Sequence, residues 1–328
     1  MIAVVGEALI DAHLDGNLLR LFPGGGPFNT AVALGRLGAP VCYLGAISRD
    51  RFGRQLEQTL GEAGVDTRRI AHVDAPTPIA IVDSTSAEPS YSFYLAGTAH
   101  EALRPTDLED LSPDVEALHV GTLALATDPP ASAIVDFAER EARERTLVID
   151  PNIRTALIED RKAYLERFEQ LSSVSDLVKL SSADVSWLYP DRSEHDAVKG
   201  LMVGGAGCVV ITHGSEGAQG WTASGWARAS APAVTVVDTV GAGDAFGAGL
   251  LAWLWRFDRL NKRRLRQLDA RELEPALAHA AAVAAVQCTR ASAWGPTVAD
   301  VDRLLVATGP PVGASREENA WRRSSSTK

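Results

Sequence analysis

Along this chain, short runs that are apolar at every position alternate with longer segments of helical period. Ile2-Ala3-Val4-Val5 is one such run and stops at Gly6, the pattern of a strand covered on both faces of a parallel sheet. Residues 41–47, 117–120, 147–150, 177–180 and 209–212 repeat it. Helical segments are predicted between them at 29–37, 51–63, 129–145, 162–171 and 183–189, the first two closed by Gly38 and Gly64. A run at 245–255 is too short to span a bilayer and reads as a core helix, and 278–282 lies in an Ala-rich helix. This rhythm predicts an α/β fold with a doubly wound, mostly parallel sheet sandwiched by helices.

Two stretches break the rhythm. Asp15-Gly16-Asn17 sits between apolar flanks within 13–22, a hairpin signal, and the strand-like segments 79–82 and 91–94 flank a polar turn. They predict a small β lid from two inserted hairpins, at about 11–23 and 76–98, on a domain covering 1–310. The charged, Ser-rich segment 311–328 is predicted to be a disordered tail.

Length and composition narrow the field. A chain of 328 residues with 46% hydrophobic content suffices for one large α/β domain. The net charge of −10, from 32 basic against 42 acidic residues, gives no support to a nucleic-acid partner, although a nucleotide cleft is compatible with it. Cys42, Cys208 and Cys288 have no metal-ligand spacing and read as reduced thiols. Residues 1–10 contain Glu7 and no basic start, unlike a signal peptide. A cytoplasmic protein with no membrane partner is expected.

The chemistry concentrates in Asp238-Thr239-Val240-Gly241-Ala242-Gly243-Asp244, just before the apolar helix. N–H groups of Gly241, Ala242 and Gly243 at a helix start are free to converge on an anion. Asp244 would repel that anion unless it accepts a proton from a hydroxyl attacking a phosphoryl group. Its reference pKa, about 4, makes it ionised at neutral pH. An ordinary helix start with a dipole-favouring Asp fits the same residues. The second candidate is Gly24-Gly25-Gly26-Pro27-Phe28-Asn29, where glycines allow close backbone approach and Asn29 offers a donor and an acceptor to sugar hydroxyls. Asn29 as a helix N-cap is the plainer alternative. Asp11 follows the first strand, where ligand groups gather in open α/β sheets.

The strings 24–38 and 238–249 stand about 200 residues apart and resemble the two signatures of the ribokinase-like, or pfkB, carbohydrate kinases. The resemblance covers roughly 1–308. It implies ATP-dependent phosphorylation of a primary hydroxyl, with Asp244 as base and 241–243 as anion hole. It places Asp11, Gly25, Gly26 and Asn29 on the sugar. Asp150-Pro151-Asn152-Ile153-Arg154 is similar to a fructokinase element and puts Arg154 on substrate or phosphate. Lys179, Thr212, Gly214 and Gly217 would serve the nucleotide, and His279 would lie beside adenine where relatives often carry Asn. Asp184, where Glu is usual, would orient water on Mg²⁺. A K⁺ ion held by carbonyls near Asp238, and a homodimer through the lid, are further implications. Gly6-Glu7-Ala8-Leu9-Ile10-Asp11 and Val178-Lys179-Leu180-Ser181 look most like fructokinases. A 2-keto-3-deoxygluconate kinase, a nucleoside kinase, and a non-catalytic sugar- or nucleotide-binding regulator remain alternatives. The chain has no Gly-x4-Gly-Lys-Ser/Thr loop, no Gly-x-Gly-x-x-Gly after the first strand, no His-Glu-x-x-His and no Gly-x-Ser-x-Gly.

Overall fold

A computed structural model of the chain describes residues 1–83 and 90–308. The predicted tail at 311–328 and the turn of the second hairpin lie outside the described residues. The chain runs β1 (Ile2–Val5), β2 (Leu9–Asp15), β3 (Leu18–Gly24), α1 (Gly26–Arg36), β4 (Val41–Ser48), α2 (Arg51–Glu62), β5 (Ile70–Val73), β6 (Ile79–Asp83) and β7 (Ser90–Tyr94). It continues through β8 (Ala117–Gly121), α3 (Pro130–Glu141), β9 (Thr146–Asp150), α4 (Arg161–Val174), β10 (Leu177–Ser181), α5 (Ser182–Leu188), α6 (Glu194–Gly204) and β11 (Cys208–Thr212). It closes with β12 (Ala218–Thr222), β13 (Gly225–Ala229), α7 (Ala242–Arg256), α8 (Lys262–Arg266), α9 (Ala270–Gln287) and α10 (Val298–Thr308).

Nine strands form one sheet in the order β13-β12-β11-β10-β9-β8-β1-β4-β5, parallel except at β11-β12 and β12-β13. Apolar residues of alternating parity feed two cores. Ile2 and Val4 pack with α1, α7 and α9, whereas Ala3 and Val5 pack with α3 and α4. Both faces are therefore covered, which is why these strands carry no polar alternation. Four more strands form a second sheet, β3-β2-β6-β7, built from the two predicted hairpins.

Boundaries shift where local chemistry overrides periodicity. Helix α1 starts at Gly26 rather than residue 29, with Pro27 in its first turn, where a missing N–H costs nothing. The helix predicted for 129–145 stops at Glu141. Arg145 instead pairs with Glu141 at 2.9 Å and donates to the Leu111 carbonyl at 2.5 Å. The elements β5, α6, β12, β13, α8 and α10 were not anticipated by the apolar pattern.

From β1 the chain winds to β4 and β5 on one side, then returns through β8 to β9, β10 and β11 on the other. The crevice at such a reversal, outside the carboxyl ends of the strands, is where open α/β sheets bind ligands. Glu7 follows β1 and Thr122 follows β8, so both stand at this switch point.

Candidate active site

A cavity of about 240 Å³ opens at the switch point, between Glu7, Asp11, Asn29, Thr122, Asn152, Arg154, Asp238 and Asp244, with Tyr91 and Phe93 of β7 over it. A second, of about 460 Å³, is walled by Thr212, Gly214, Gly217, Ala233, Val236, Phe246, Ala281, Ala284 and Cys288. The two share Thr239 and Gly243, so they meet at the start of α7.

Asp244 occupies the first turn of α7 and is buried. Asn29 Nδ2 donates to its Oδ2 at 2.9 Å and Asn152 Nδ2 to its Oδ1 at 3.3 Å. Asn29 is thus a clamp on Asp244 rather than a helix N-cap. Its Oδ1 is buried without a partner in the cavity wall, an acceptor available to a ligand hydroxyl. Burial pushes the Asp244 carboxyl above its ordinary value, against the opposing pull of Asn29, Lys179 and Arg154. This corrects the reference-value expectation, because the site removes the water that would solvate the charge.

Two neighbours share this environment. Burial, then the Asp244 charge, raises Asp11 to about 7, with Arg154 opposing. Burial raises Glu7 to about 8, although the Gly26 and Leu123 N–H groups donate to it at 3.1 and 3.3 Å. Arg154 Nη1 donates to Asn152 Oδ1 at 2.8 Å, and its guanidinium lies 5.7 Å from the Tyr91 ring centroid. A Cβ at Gly26 would meet Thr122 Oγ1 at 2.0 Å, so the backbone approach there needs glycine. Gly25 lines the same cavity.

Gly241 caps α7 in the left-handed region at φ 74°. The Ala242 N–H donates to Thr239 at 3.1 Å, which corrects the expectation of three free donors at 241–243. Gly241 and Gly243 N–H groups make no backbone bond among the described residues, and both glycines line the smaller cavity. Below them Lys179 Nζ lies 2.6 Å from Asp150 Oδ2, both side chains buried. A Cβ at Gly243 would be 3.3 Å from that ammonium, so Lys179 sits under the first turn of α7 and does not line the larger cavity.

Thr212, Gly214 and Gly217 do line the larger cavity. His279 does not: it is buried near Arg256, and burial lowers its pKa to about 4. Ala281, Ala284 and Ala285 of the same helix face the cavity instead. Asp184 closes a capping box at the start of α5, accepting from Ser181 N at 2.7 Å and from Ile153 N at 2.9 Å. Both its oxygens accept bonds from the protein, which is the helix-start role. Glu7, Thr122, Asn152, Tyr91 and Asp238 complete the smaller cavity and were not singled out as ligand-binding residues from sequence. A charge in an otherwise apolar strand end, Gly6-Glu7-Ala8-Leu9, was the available signal for Glu7.

The profile of the pfkB family carbohydrate kinases matches residues 1–298. The chain belongs to this family. The kinase is 39% identical over 279 residues to a fructokinase of Rhizobium leguminosarum bv. trifolii, covering 83% of this chain and 85% of that protein. Its fold superposes on the ATP-bound fructokinase of Xylella fastidiosa with a TM-score of 0.87 at 29% identity, over 93% and 98% of the two chains. The Vibrio cholerae O395 fructokinase, solved with fructose, ADP and calcium, gives 0.81 at 27% identity over 93% and 98%. The protein is a sugar kinase of the ribokinase-like fold, and no helix among the described residues is long and apolar enough to cross a membrane.

Proposed function

We propose that this kinase transfers the γ-phosphoryl group of ATP to a primary hydroxyl of fructose, giving fructose 6-phosphate. The observation that carries the proposal is the position of Asp244, clamped by two asparagines where the two cavities meet. The smaller cavity takes the sugar and the larger takes the nucleotide. Asp11, Asn29 and Arg154 hold sugar hydroxyls, while Asp244 orients the attacking hydroxyl and takes its proton. Burial, which raises its pKa, makes the ionised carboxylate a stronger base. The Gly241 and Gly243 N–H groups, with Lys179 beneath, receive charge on the transferring phosphoryl, where one preorganised donor is worth roughly 3–4 kcal/mol. Tyr91 and Phe93 of the lid exclude water, the competing nucleophile.

Among the described residues no group of three or more acidic, His or Cys side chains forms a metal cage, which fits a Mg²⁺ ion carried by the triphosphate. The ion supplies charge neutralisation on the phosphates. The proposal includes magnesium and a K⁺ ion near Asp238, where the Val240 carbonyl keeps a lone pair beyond its bond to Gln287. Exposed Leu18, Leu19, Leu21 and Tyr94 on the lid fit a lid-to-lid homodimer, and a cytosolic location accords with three free cysteines.

ADP release measured with fructose, 2-keto-3-deoxygluconate, ribose and adenosine tests the substrate. Fructose should give the highest kcat/KM. Preference for another acceptor moves the substrate, and silence on all four leaves the non-catalytic binding protein.

A further inference from the structure

Behind the start of α7 lies a buried amide that the chemistry above does not use. Gln287, the last residue of α9, is 1% exposed. Its Nε2 donates to the Val240 carbonyl at 3.1 Å and to the Ser292 carbonyl at 2.6 Å, while its Oε1 accepts from the Gly295 N–H at 3.2 Å. The three bonds fix which end of the amide is which. Flipped, it would set NH₂ against an N–H and oxygen against two carbonyls.

The first of these partners matters for catalysis. Val240 C=O and Gly241 N–H belong to one planar trans peptide, so they point to opposite sides. Anchoring the carbonyl on Gln287 turns the Gly241 N–H away from α9, and Gly241 lines the sugar cavity. Glycine at φ 74° would otherwise leave this peptide free to rotate, because Gly accepts both signs of φ. The second partner is held against its own preference. Ser292 stands at φ 61°, unusual for a residue with a side chain, and is pinned by Gln287 at its carbonyl and by Asp238 at its N–H, 2.9 Å away. Asp238 also accepts from the Val240 N–H at 3.0 Å. The loop before α7 and the loop after α9 are thus joined through two side chains, and strain in one is held by bonds to the other.

We infer that Gln287 is a positioning residue that sets the Val240–Gly241 peptide plane, and with it the Gly241 donor that receives charge on the transferring phosphoryl group. The inference rests on the anion-hole role given above to Gly241. Bonding at the carbonyl also polarises the peptide and strengthens its N–H as a donor.

The test compares kcat and KM in ADP release on the intact protein. Gln287→Ala should lower kcat about 10- to 100-fold, at or below the roughly 10²–10³-fold cost of losing one preorganised donor because the Gly241 N–H is misdirected rather than removed, with KM for sugar and ATP changed less than about threefold. Should the alanine variant fail to fold by circular dichroism, Gln287→Met, which keeps the length without a donor, is read against the same limits. Gln287→Glu adds a readout that mere support of the fold would not move. Ionised, it faces two carbonyls with no donor; protonated, it can donate to Val240 again. Its kcat relative to the parent protein should therefore rise as pH falls from 8 to 6. A kcat within twofold of the parent in the alanine or methionine variant, a loss shared with or confined to KM, or a pH-independent ratio for Gln287→Glu each overturns the inference. A parent protein that phosphorylates none of the sugars defeats the proposed function instead, so the two failures are distinguishable.

Discussion

The sugar cavity and the nucleotide cavity meet at Gly243, yet they are built in opposite ways. The first is walled by charged and amide side chains: Glu7, Asp11, Asn29, Asn152, Arg154, Asp238 and Asp244. The second is walled by alanines, valines, a proline, a phenylalanine and the turns around Gly214 and Gly217. Specific hydroxyls need directed partners, and each buried partner must then be satisfied or left waiting, as Asn29 Oδ1 is. A nucleobase is a flat apolar body, and apolar walls with backbone groups suffice to seat it. Burial on the sugar side also raises the pKa of Glu7, Asp11 and Asp244, so chemistry and specificity share one electrostatic environment.

The contrast breaks first at Asp244. Asp244→Asn keeps the size of the side chain and one acceptor oxygen, at the cost of one of the two asparagine bonds, but removes the base. It should lower kcat by about 10²–10⁴-fold while the fold and sugar KM are retained. Coupled ADP release and a thermal melt check both halves, and near-parental kcat would return Asp244 to the role of a dipole-favouring helix-start residue. A smaller effect is expected across the divide. Ala284→Phe places a ring in the larger cavity, where Ala284 is only partly buried. KM for ATP should rise about tenfold or more, and KM for sugar should stay within about twofold. An equal rise in both would show that the cavities do not separate the two substrates.

The same contrast explains what was legible in the sequence. Asp244, Asp11 and Asn29 announce themselves because the side chain is the functional group, and the structure gathers all three around one cavity. Glycines at 24–26, 241 and 243 announce backbone approach. The wall of the larger cavity is legible at 212–217, where a strand runs into a turn, but not at 231–236 or 281–285, where alanine and valine look like any core. His279 drew attention as the polar member of an Ala-rich helix, and the cavity takes the helix's small residues instead. Asp184 is ambiguous in sequence for a related reason: a carboxylate three residues into a loop-helix junction has the same appearance whether it caps the helix or serves a metal, and the structure shows the cap. The strand β12, Ala-Gln-Gly-Trp-Thr, has no apolar run and exists because β11 offers it an edge. Gln287 was invisible because its partners are carbonyls, which sequence does not display.

The smallest expected effect sharpens the electrostatic half of the comparison. Glu7 is buried beneath the sugar cavity and holds the Gly26 and Leu123 N–H groups, one from each loop that frames it. Unfolded, its carboxyl ionises at about 4.5; folded, burial delays this to about 8. The folded state therefore carries the extra proton between those values. Its contribution to stability is fully present below about pH 4.5 and is lost as pH rises through about 8. Glu7→Gln removes that titration but accepts through one oxygen only, so one of the two N–H groups loses its partner. At pH 5 the variant should melt below the parent, by an amount set by one unsatisfied buried donor, about 1–3 kcal/mol. At pH 9, where the parent must ionise Glu7 in an apolar site, the gap should close or reverse. Melting curves of both proteins at the two pH values measure it. Parallel pH dependence in the two would mean that Glu7 ionises in the fold as readily as in water, and that the sugar cavity does not impose a shared electrostatic cost on its carboxylates.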